Sequence, residues 1–495
     1  MLRSPIIIYA DFECLLENIR GEPTSKRGRD TIFYAKHKPC SAAFYPVASF
    51  EGAPNFQFET YTGPNVCNWF LSRLAVLGEE VAKILLDEKR LIMTPEDMRD
   101  FTNAERCFIC NKPFPTEYSN KVRDHDHLTG RYRGAAHNSC NLNYKFTFKV
   151  PVMIHNFRGY DSHLISFATA EFPTTKLHVI GQGYEKYLTL SFGPHIVFKD
   201  SNQFLACSLE QLAKNLLKAG GPNKFPLLFK EFSMNSDAQR QLLLRKGIYP
   251  YEYMDKWERL DERMLPPIEK FFNSLKQEPC SREDYAHALQ VWDEFHCSTL
   301  KDYQDLYLKT DVLLLADIFE NFREISVRNY QLDPAYYVSS PQLSWDAMLL
   351  FTKCELELIA DPEMFLMLDQ GLRGGVSMIT HRFARANNPE MGDLYDPELP
   401  LSYIVYLDAN NLYGWAMSQP LPITGVKWLK EREWCRIDWE LLADDSAVGY
   451  FIECDLSYPA NLHDAHNDLP LGAEKLFLKH EMLNEHQLRI LRHYS

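Results

Sequence analysis

The sequence predicts a mixed α/β protein, and three observations carry that expectation. Residues 6–13 (IIIYADFE) form an apolar, β-branched run of the kind that fills a buried strand. Residues 65–100 and 300–319 place apolar side chains at helical spacing. Shorter β-type runs at 42–45 and 150–154 lie between them.

The chain has 495 residues, enough for roughly three domains of about 150 each. A hydrophobic share of 45% and an aromatic share of 13% are ample for packed cores. The 12 cysteines are scattered, which suits a reducing compartment where a tight cluster binds metal and does not form disulfides. No secretory apolar core and no apolar run of about 18 residues is present, so the reading is intracellular (nucleus, cytoplasm or organelle), not secreted, with no membrane partner. A formal charge of -14 argues against a uniformly basic surface, yet a nucleic-acid enzyme needs only a locally positive track.

Taking the elements in order, the first strand delivers Asp11 and Glu13 at its far end. Residues i and i+2 of a strand share a face, so both carboxylates project together while Ile6, Ile8, Ala10 and Phe12 are fit for burial. Two adjacent anions need a cation, and hard oxygen ligands point to Mg²⁺ or Mn²⁺. The plain alternative is a pair of solvated loop acids. Residues 31–34 and 42–45, with a turn at 20–23, read as the antiparallel part of a mixed sheet. Residues 65–100 read as helical through Trp69, Leu71, Leu74, Val81 and Leu85.

Residues 107–141 differ in kind. Cys107 and Cys110 form one knuckle, His137 and Cys140 a second, and two such pairs are what tetrahedral Zn²⁺ requires, with His125 or His127 as the rival fourth ligand. Between the pairs runs Asp124-His125-Asp126-His127. The segment resembles the zinc-and-HNH module of recombination endonuclease VII, a treble-clef-like knuckle holding a DHDH hairpin, although that family's second pair is usually Cys-x-x-Cys. The resemblance implies a possible second nuclease in which Asp124 and Asn141 bind metal and His125 is the general base. The alternative is a finger that grips DNA through Lys121, Arg123, Arg131, Arg133, Lys145 and Lys149.

The strand at 150–154 runs into Asn156, Gly159, Tyr160 and Asp161, where a helix opens at 163–168. Much later, Tyr307 and Asp311 sit one turn apart on an amphipathic helix. D-x-E, N-x3-Y-D and Y-x3-D, in that order, resemble the three exonuclease motifs of family B DNA polymerases, and the wording around them looks like the protein-primed branch. That resemblance implies a ribonuclease-H-like 3′-5′ exonuclease in which Asp11, Glu13, Asp161 and Asp311 hold two Mg²⁺ (or Mn²⁺) ions, one activating water and one stabilising the leaving 3′ oxygen. Tyr307 would orient the water.

Further positions follow the same branch. Ser208 and Leu209 match its Ser-Leu element that contacts a frayed single strand; a helix N-cap at Ser208 is the compatible plain reading. Lys246 in Lys-Gly-Ile-Tyr249 matches a lysine motif near the exonuclease site. Residues 255–300 read as charged and helical, broken at Pro266-Pro267. Gly374 and Gly375 resemble the template-binding linker, with Leu372 where the branch has tyrosine; an ordinary turn is the alternative. Residues 403–417 are a β-branched and aromatic run ending in Asp408, similar to polymerase motif A. By that resemblance Asp408 binds catalytic magnesium, Leu412 faces the incoming dNTP, and Tyr413 lies under its sugar.

No Asp-Thr-Asp hairpin and no fingers lysine follows Met417. The expectation is therefore an exonuclease domain over 1–98 and 150–329, a zinc-binding insertion at 99–149, and the start of a polymerase palm with its following insertion at 330–495. Such a chain would cover only the amino-terminal part of the family's length. The family function is DNA-directed synthesis with proofreading, and this chain by itself carries the exonuclease. Implied partners are DNA template and primer, single-stranded 3′ ends, dNTP and a terminal priming protein; implied cofactors are Mg²⁺ and Zn²⁺. The alternatives are a structure-specific metal-dependent endonuclease and a non-catalytic DNA-binding transposon remnant.

Overall fold

The computed structural model describes residues 2–18, 35–114, 120–183, 186–274, 277–372, 374, 376–469, 471–473 and 476–494. The turn expected at 20–23, the strand at 31–34 and Gly375 lie outside the described residues. The chain divides into two compact units, Met1–Lys353 and Cys354–Ser495.

The first unit is built on β1 (Ile6–Asn18), β2 (Ala35–Ala48), β3 (Glu59–Thr62), β4 (Lys121–His125), β5 (Tyr132–His137), β6 (Val150–Ile154), β7 (Leu177–Gly183), β8 (Lys186–Phe192) and β9 (Ile196–Asp200). Seven of these make one sheet in the order β3-β2-β1-β6-β9-β8-β7, while β4 and β5 form a separate hairpin. β1 runs antiparallel to β2 and parallel to β6, and β6 runs parallel to β9.

Helices cover both faces of the central strands, which is why β1 is an unbroken apolar run and not an alternating one. Ile6, Ile8, Ala10 and Phe12 pack toward α1 (Val66–Leu86), whose Phe70 meets Phe12 edge-on at 4.7 Å between ring centres. Ile7 and Tyr9 face the other way, in a core with Leu308, Val312 and Phe319. Asp11 and Glu13 continue that second face.

The helical reading of 65–100 is corrected. α1 stops at Leu86, and α2 (Pro95–Asn103) starts afresh behind a Thr94 capping box with Asp97. The interruption has a cause: the N–H groups of Lys89 and Ile92 donate to the carbonyls of His127 and Gly130, so residues 87–94 form the seat for the β4–β5 hairpin. Gly130 has φ +77, and a Cβ there would lie 2.5 Å from the Arg90 carbonyl, so this close docking requires glycine. α3 (Asn138–Asn143) packs on β4 and β5.

After β6 come α4 (Asp161–Ala168), then α5 (Leu209–Gly220), α6 (Pro226–Glu231), α7 (Asp237–Leu242) and α8 (Arg282–Glu294). Among the described residues of 255–281 there are only short 3₁₀ turns and irregular chain, against the helical expectation, which α8 meets from Arg282 on. α9 (Leu300–Tyr330) extends past the predicted end at 319. Its extra turns carry Arg323, fully buried, which bonds Asp333, Glu320 and the Ser4 carbonyl and so ties the first strand to the helix. α10 (Ser340–Thr352) adds Leu343 to the same core, which moves the unit boundary from the expected 329 to Lys353.

In the second unit, α11 (Pro362–Gly371) and α12 (Leu412–Met417) are the helices nearest the predicted sites. Residues 403–409 form no strand, contrary to expectation; Tyr406 is 93% and Leu407 85% exposed. Among the described residues no helix is long and apolar enough to cross a membrane.

Candidate functional site

Four acids remote in sequence come together in the first unit. β1 supplies Asp11 and Glu13, the first turn of α4 supplies Asp161, and the middle of α9 supplies Asp311; Glu13, Asp161 and Asp311 are buried and Asp11 is partly exposed. Their mutual field shows in their proton affinities. Burial, then the Asp311 carboxylate, pushes Asp11 up to about 7. Burial and Asp11 raise Glu13 and Asp161 well above the carboxylate range. Asp311 is raised by burial, opposed by Lys246.

Lys246 bonds Asp311 Oδ2, and its ammonium lies 5.2 Å from the centre of the Tyr307 ring. The other oxygen of the same carboxylate, Asp311 Oδ1, is buried without a partner. An orphaned buried oxygen among raised carboxyls is an acceptor set short of positive charge, and hard divalent cations fit it. No three of the four acids bring oxygens within 4.8 Å of one another; among the described residues only the sulfur and histidine set below is that tight.

Tyr307 shares the buried face of α9 with Asp311, and its hydroxyl lies 2.8 Å from that of Tyr251. Gly247 backs the ring, where a Cβ would stand 3.3 Å from Tyr307 Cδ2. On the rim, the Tyr160 hydroxyl is 2.6 Å from His37 Nδ1. Sequence reasoning missed Tyr251 and His37, since no spacing links them to the acids, while Gly247 belongs to the Lys246–Tyr249 stretch expected near the site.

The second cluster is sulfur-rich. Cys107, Cys110, His137 and Cys140 bring ligand atoms within 4.8 Å of one another. His137 Nδ1 lies 3.4 Å from Cys110 Sγ and 3.8 Å from Cys140 Sγ, while Nε2 sits 3.2 Å from the Pro113 carbonyl. That carbonyl favours the proton on Nε2 and leaves Nδ1 free to ligate, as second-shell acceptors do. Burial raises the Cys107 thiol, but the N–H groups of Cys110, His137 and Ile109 outweigh it and hold it down at about 7. Three sulfurs and one imidazole nitrogen fit tetrahedral zinc.

The rival ligands are corrected: His125 and His127 stack on each other at 4.7 Å and 14°, outside the cluster, with His127 Nδ1 3.2 Å from Glu88. Asp124 is 1% exposed, and both its oxygens are taken by Arg133, at 2.6 and 3.2 Å. Asn141 lies on α3, against the hairpin that carries Asp124 and His125. Both Asp124 oxygens are engaged by the Arg133 guanidinium, so a metal here would have to share or displace that ion pair, and the site as it stands does not present Asp124 to one. Lys121 and Arg123 lie over the Phe101 ring at 5.0 and 4.7 Å, which orders part of the basic set.

Ser208 caps α5, accepting the Gln211 N–H at 3.3 Å, and Leu209 is a 6% exposed member of the core. Gly374 is exposed chain after α11. Asp408 is exposed and in no strand, while Leu412 and Tyr413 at the start of α12 are 56% and 88% exposed.

No curated protein and no solved structure matches the chain. Residues 86–149 match the family recombination endonuclease VII, so the hairpin, α3 and the cysteine-histidine cluster lie in an endonuclease VII-like domain.

Proposed function

We propose that the chain is a DNA-processing nuclease whose hydrolytic centre is the cluster of Asp11, Glu13, Asp161 and Asp311, and whose zinc module holds DNA. The observation that carries this reading is that acids from three elements lie close enough to raise one another's proton affinity, Asp11 acting on Glu13 and Asp161, and Asp311 on Asp11, with Asp311 Oδ1 lacking a partner. The substrate class comes from the endonuclease VII-like domain. The order β3-β2-β1-β6-β9, antiparallel and then parallel, supports a ribonuclease-H-like domain over 1–98 and 150–329, interrupted by the module at 99–149.

Magnesium or manganese, when bound by the four acids, supplies activation of water and neutralisation of phosphate charge. The chain's own residues do the rest. Tyr307, fixed by Tyr251, orients a water through its hydroxyl, and Lys246 balances Asp311. The finer expectation is removal of nucleotides from single-stranded 3′ ends. Asp11→Ala with Glu13→Ala should abolish Mg²⁺-dependent shortening of a 3′-ended single strand; undiminished shortening overturns the reading.

A second reading, a structure-specific endonuclease in the module, is favoured by the family match. Against it stands the Arg133 guanidinium, which already occupies both oxygens of Asp124. Asp124→Ala and His125→Ala, assayed on branched and nicked duplex, separate the two readings: loss of cleavage there, with 3′ shortening intact, favours the endonuclease. Asp408 and Tyr413 stand exposed outside any sheet and lend no support to polymerase chemistry in this chain.

A further inference from the structure

Asp200 closes β9, opposite Ile154 at the end of β6, and is 1% exposed. Its two oxygens accept three backbone N–H groups: Asn156 at 2.9 Å and Asn202 at 2.9 Å on Oδ1, and Arg158 at 3.1 Å on Oδ2. The first and third belong to the turn that leads from β6 into α4. That turn is demanding. Asn156 has φ 65, in the left-handed region, and five residues later the chain must begin a helix with Asp161 aimed at the acid cluster. Asparagine tolerates this conformation at some cost, so the turn needs outside support. Flanking groups add some: His155 Nδ1 is 3.0 Å from Ser201 Oγ, and Arg158 Nη1 is 2.5 Å from Gln182 Oε1.

We propose that Asp200 is a positioning residue for the nuclease centre: by clamping the 156–158 turn it sets where Asp161 enters the cluster, and so tunes its hold on divalent metal. The inference rests on the nuclease reading above. Asp200 holds the backbone from which one of the four acids springs, as groups behind a metal ligand do, and its charge also adds to the field that raises Asp161.

The test is a Mg²⁺ titration with the full chain carrying Asp200→Asn, read both as the Mg²⁺-induced rise in unfolding temperature without DNA and as 3′ shortening of single-stranded DNA, with Asp200→Glu, which keeps the charge and displaces the oxygens, beside it. An amide keeps one acceptor and turns a donor toward the Arg158 N–H, so the turn loosens. The half-saturating Mg²⁺ concentration should rise about tenfold, the size typical when an outer partner of a metal ligand is lost, with KM for DNA unchanged. The control is Asp317→Asn. Asp317 is likewise buried and accepts two backbone N–H groups, from Leu227 at 2.9 Å and Leu228 at 3.0 Å, but it supports α6 and not the cluster. That variant should lower the unfolding temperature and leave the metal requirement alone. A wild-type metal requirement in Asp200→Asn overturns the inference while leaving the nuclease reading intact. Where Asp200→Asn fails to fold, Asp200→Glu alone decides, and a wild-type requirement there is equally fatal. Shortening that survives Asp11→Ala with Glu13→Ala removes the nuclease reading, and this inference with it.

Discussion

Asp311 offers one oxygen to Lys246 and leaves the other buried and bare. A group in that state gains from any ligand that binds the folded form alone, so Mg²⁺ should raise the unfolding temperature. At a concentration of about 100 Kd the linkage is worth about 2.7 kcal/mol. Asp311→Asn should erase most of that shift in a thermal melt; an equal shift in the variant would place the ion elsewhere. Lys199 is the opposite case, a buried ammonium donating to the Ala335 and Tyr337 carbonyls at 2.6 and 3.0 Å. Burial lowers it from 10.5 to about 8. Between about 8 and 10.5 the unfolded chain therefore binds more protons than the folded one, and stability from this group rises with pH across that window. Lys199→Met should flatten the rise in denaturant melts taken from pH 7.5 to 10. The acids of β1 were legible in the sequence because a strand repeats every second residue. Asp200, Tyr251 and Arg133 were not, since each finds its partner through folding and no short-range spacing marks it.

At the level of elements, the described part of the endonuclease VII-like module has little apolar core: α2 and α3 bury no side chain and the hairpin's only buried apolar side chains are Ala135 and Ala136, so zinc on the cysteine-histidine set and the seat at 87–94 would carry much of its order. His137→Ala should therefore strip zinc and melt the hairpin, while His127→Ala, outside the ligand set, should keep one zinc per chain. Metal analysis beside limited proteolysis between 99 and 149 reads both, and equal zinc loss in the two variants would refute the assigned fourth ligand. The knuckle spacing showed this cluster in advance because ligand pairs are local. The split of 65–100 into α1 and α2 was hidden, since the cause is a docking contact with a hairpin about forty residues on. α1 itself was legible from its apolar stripe, and its weight can be tested. Phe70 is fully buried against Phe12, Phe44 and Phe198, so Phe70→Ala should cost about 3–5 kcal/mol in urea unfolding. A loss under about 1 kcal/mol would mean that the site collapses onto the gap.

Across the whole molecule, the two units differ in how they satisfy their apolar residues. The first closes two cores around its sheet, and both candidate metal centres lie within it. The second leaves large side chains in water, Phe477 fully and Tyr406 nearly so, and its helices α11 and α12 bury no side chain. This difference explains why motif-like wording around Asp408 did not produce the expected strand: a β-branched run becomes a strand only with partners on either side, and sequence pattern alone cannot supply them. α10 ends at Lys353 in the left-handed conformation, after which 353–361 has no regular structure. Trypsin should cut there early. The released piece, 1–353, should keep its zinc and its Mg²⁺-dependent shortening of single-stranded 3′ ends, because every residue assigned to either centre is retained. Mass spectrometry identifies the cut, and metal content with the shortening assay tests the piece. A fragment that folds and holds zinc yet no longer shortens DNA would show that residues beyond 353 contribute to the reaction, and the four acids would then be only part of the site.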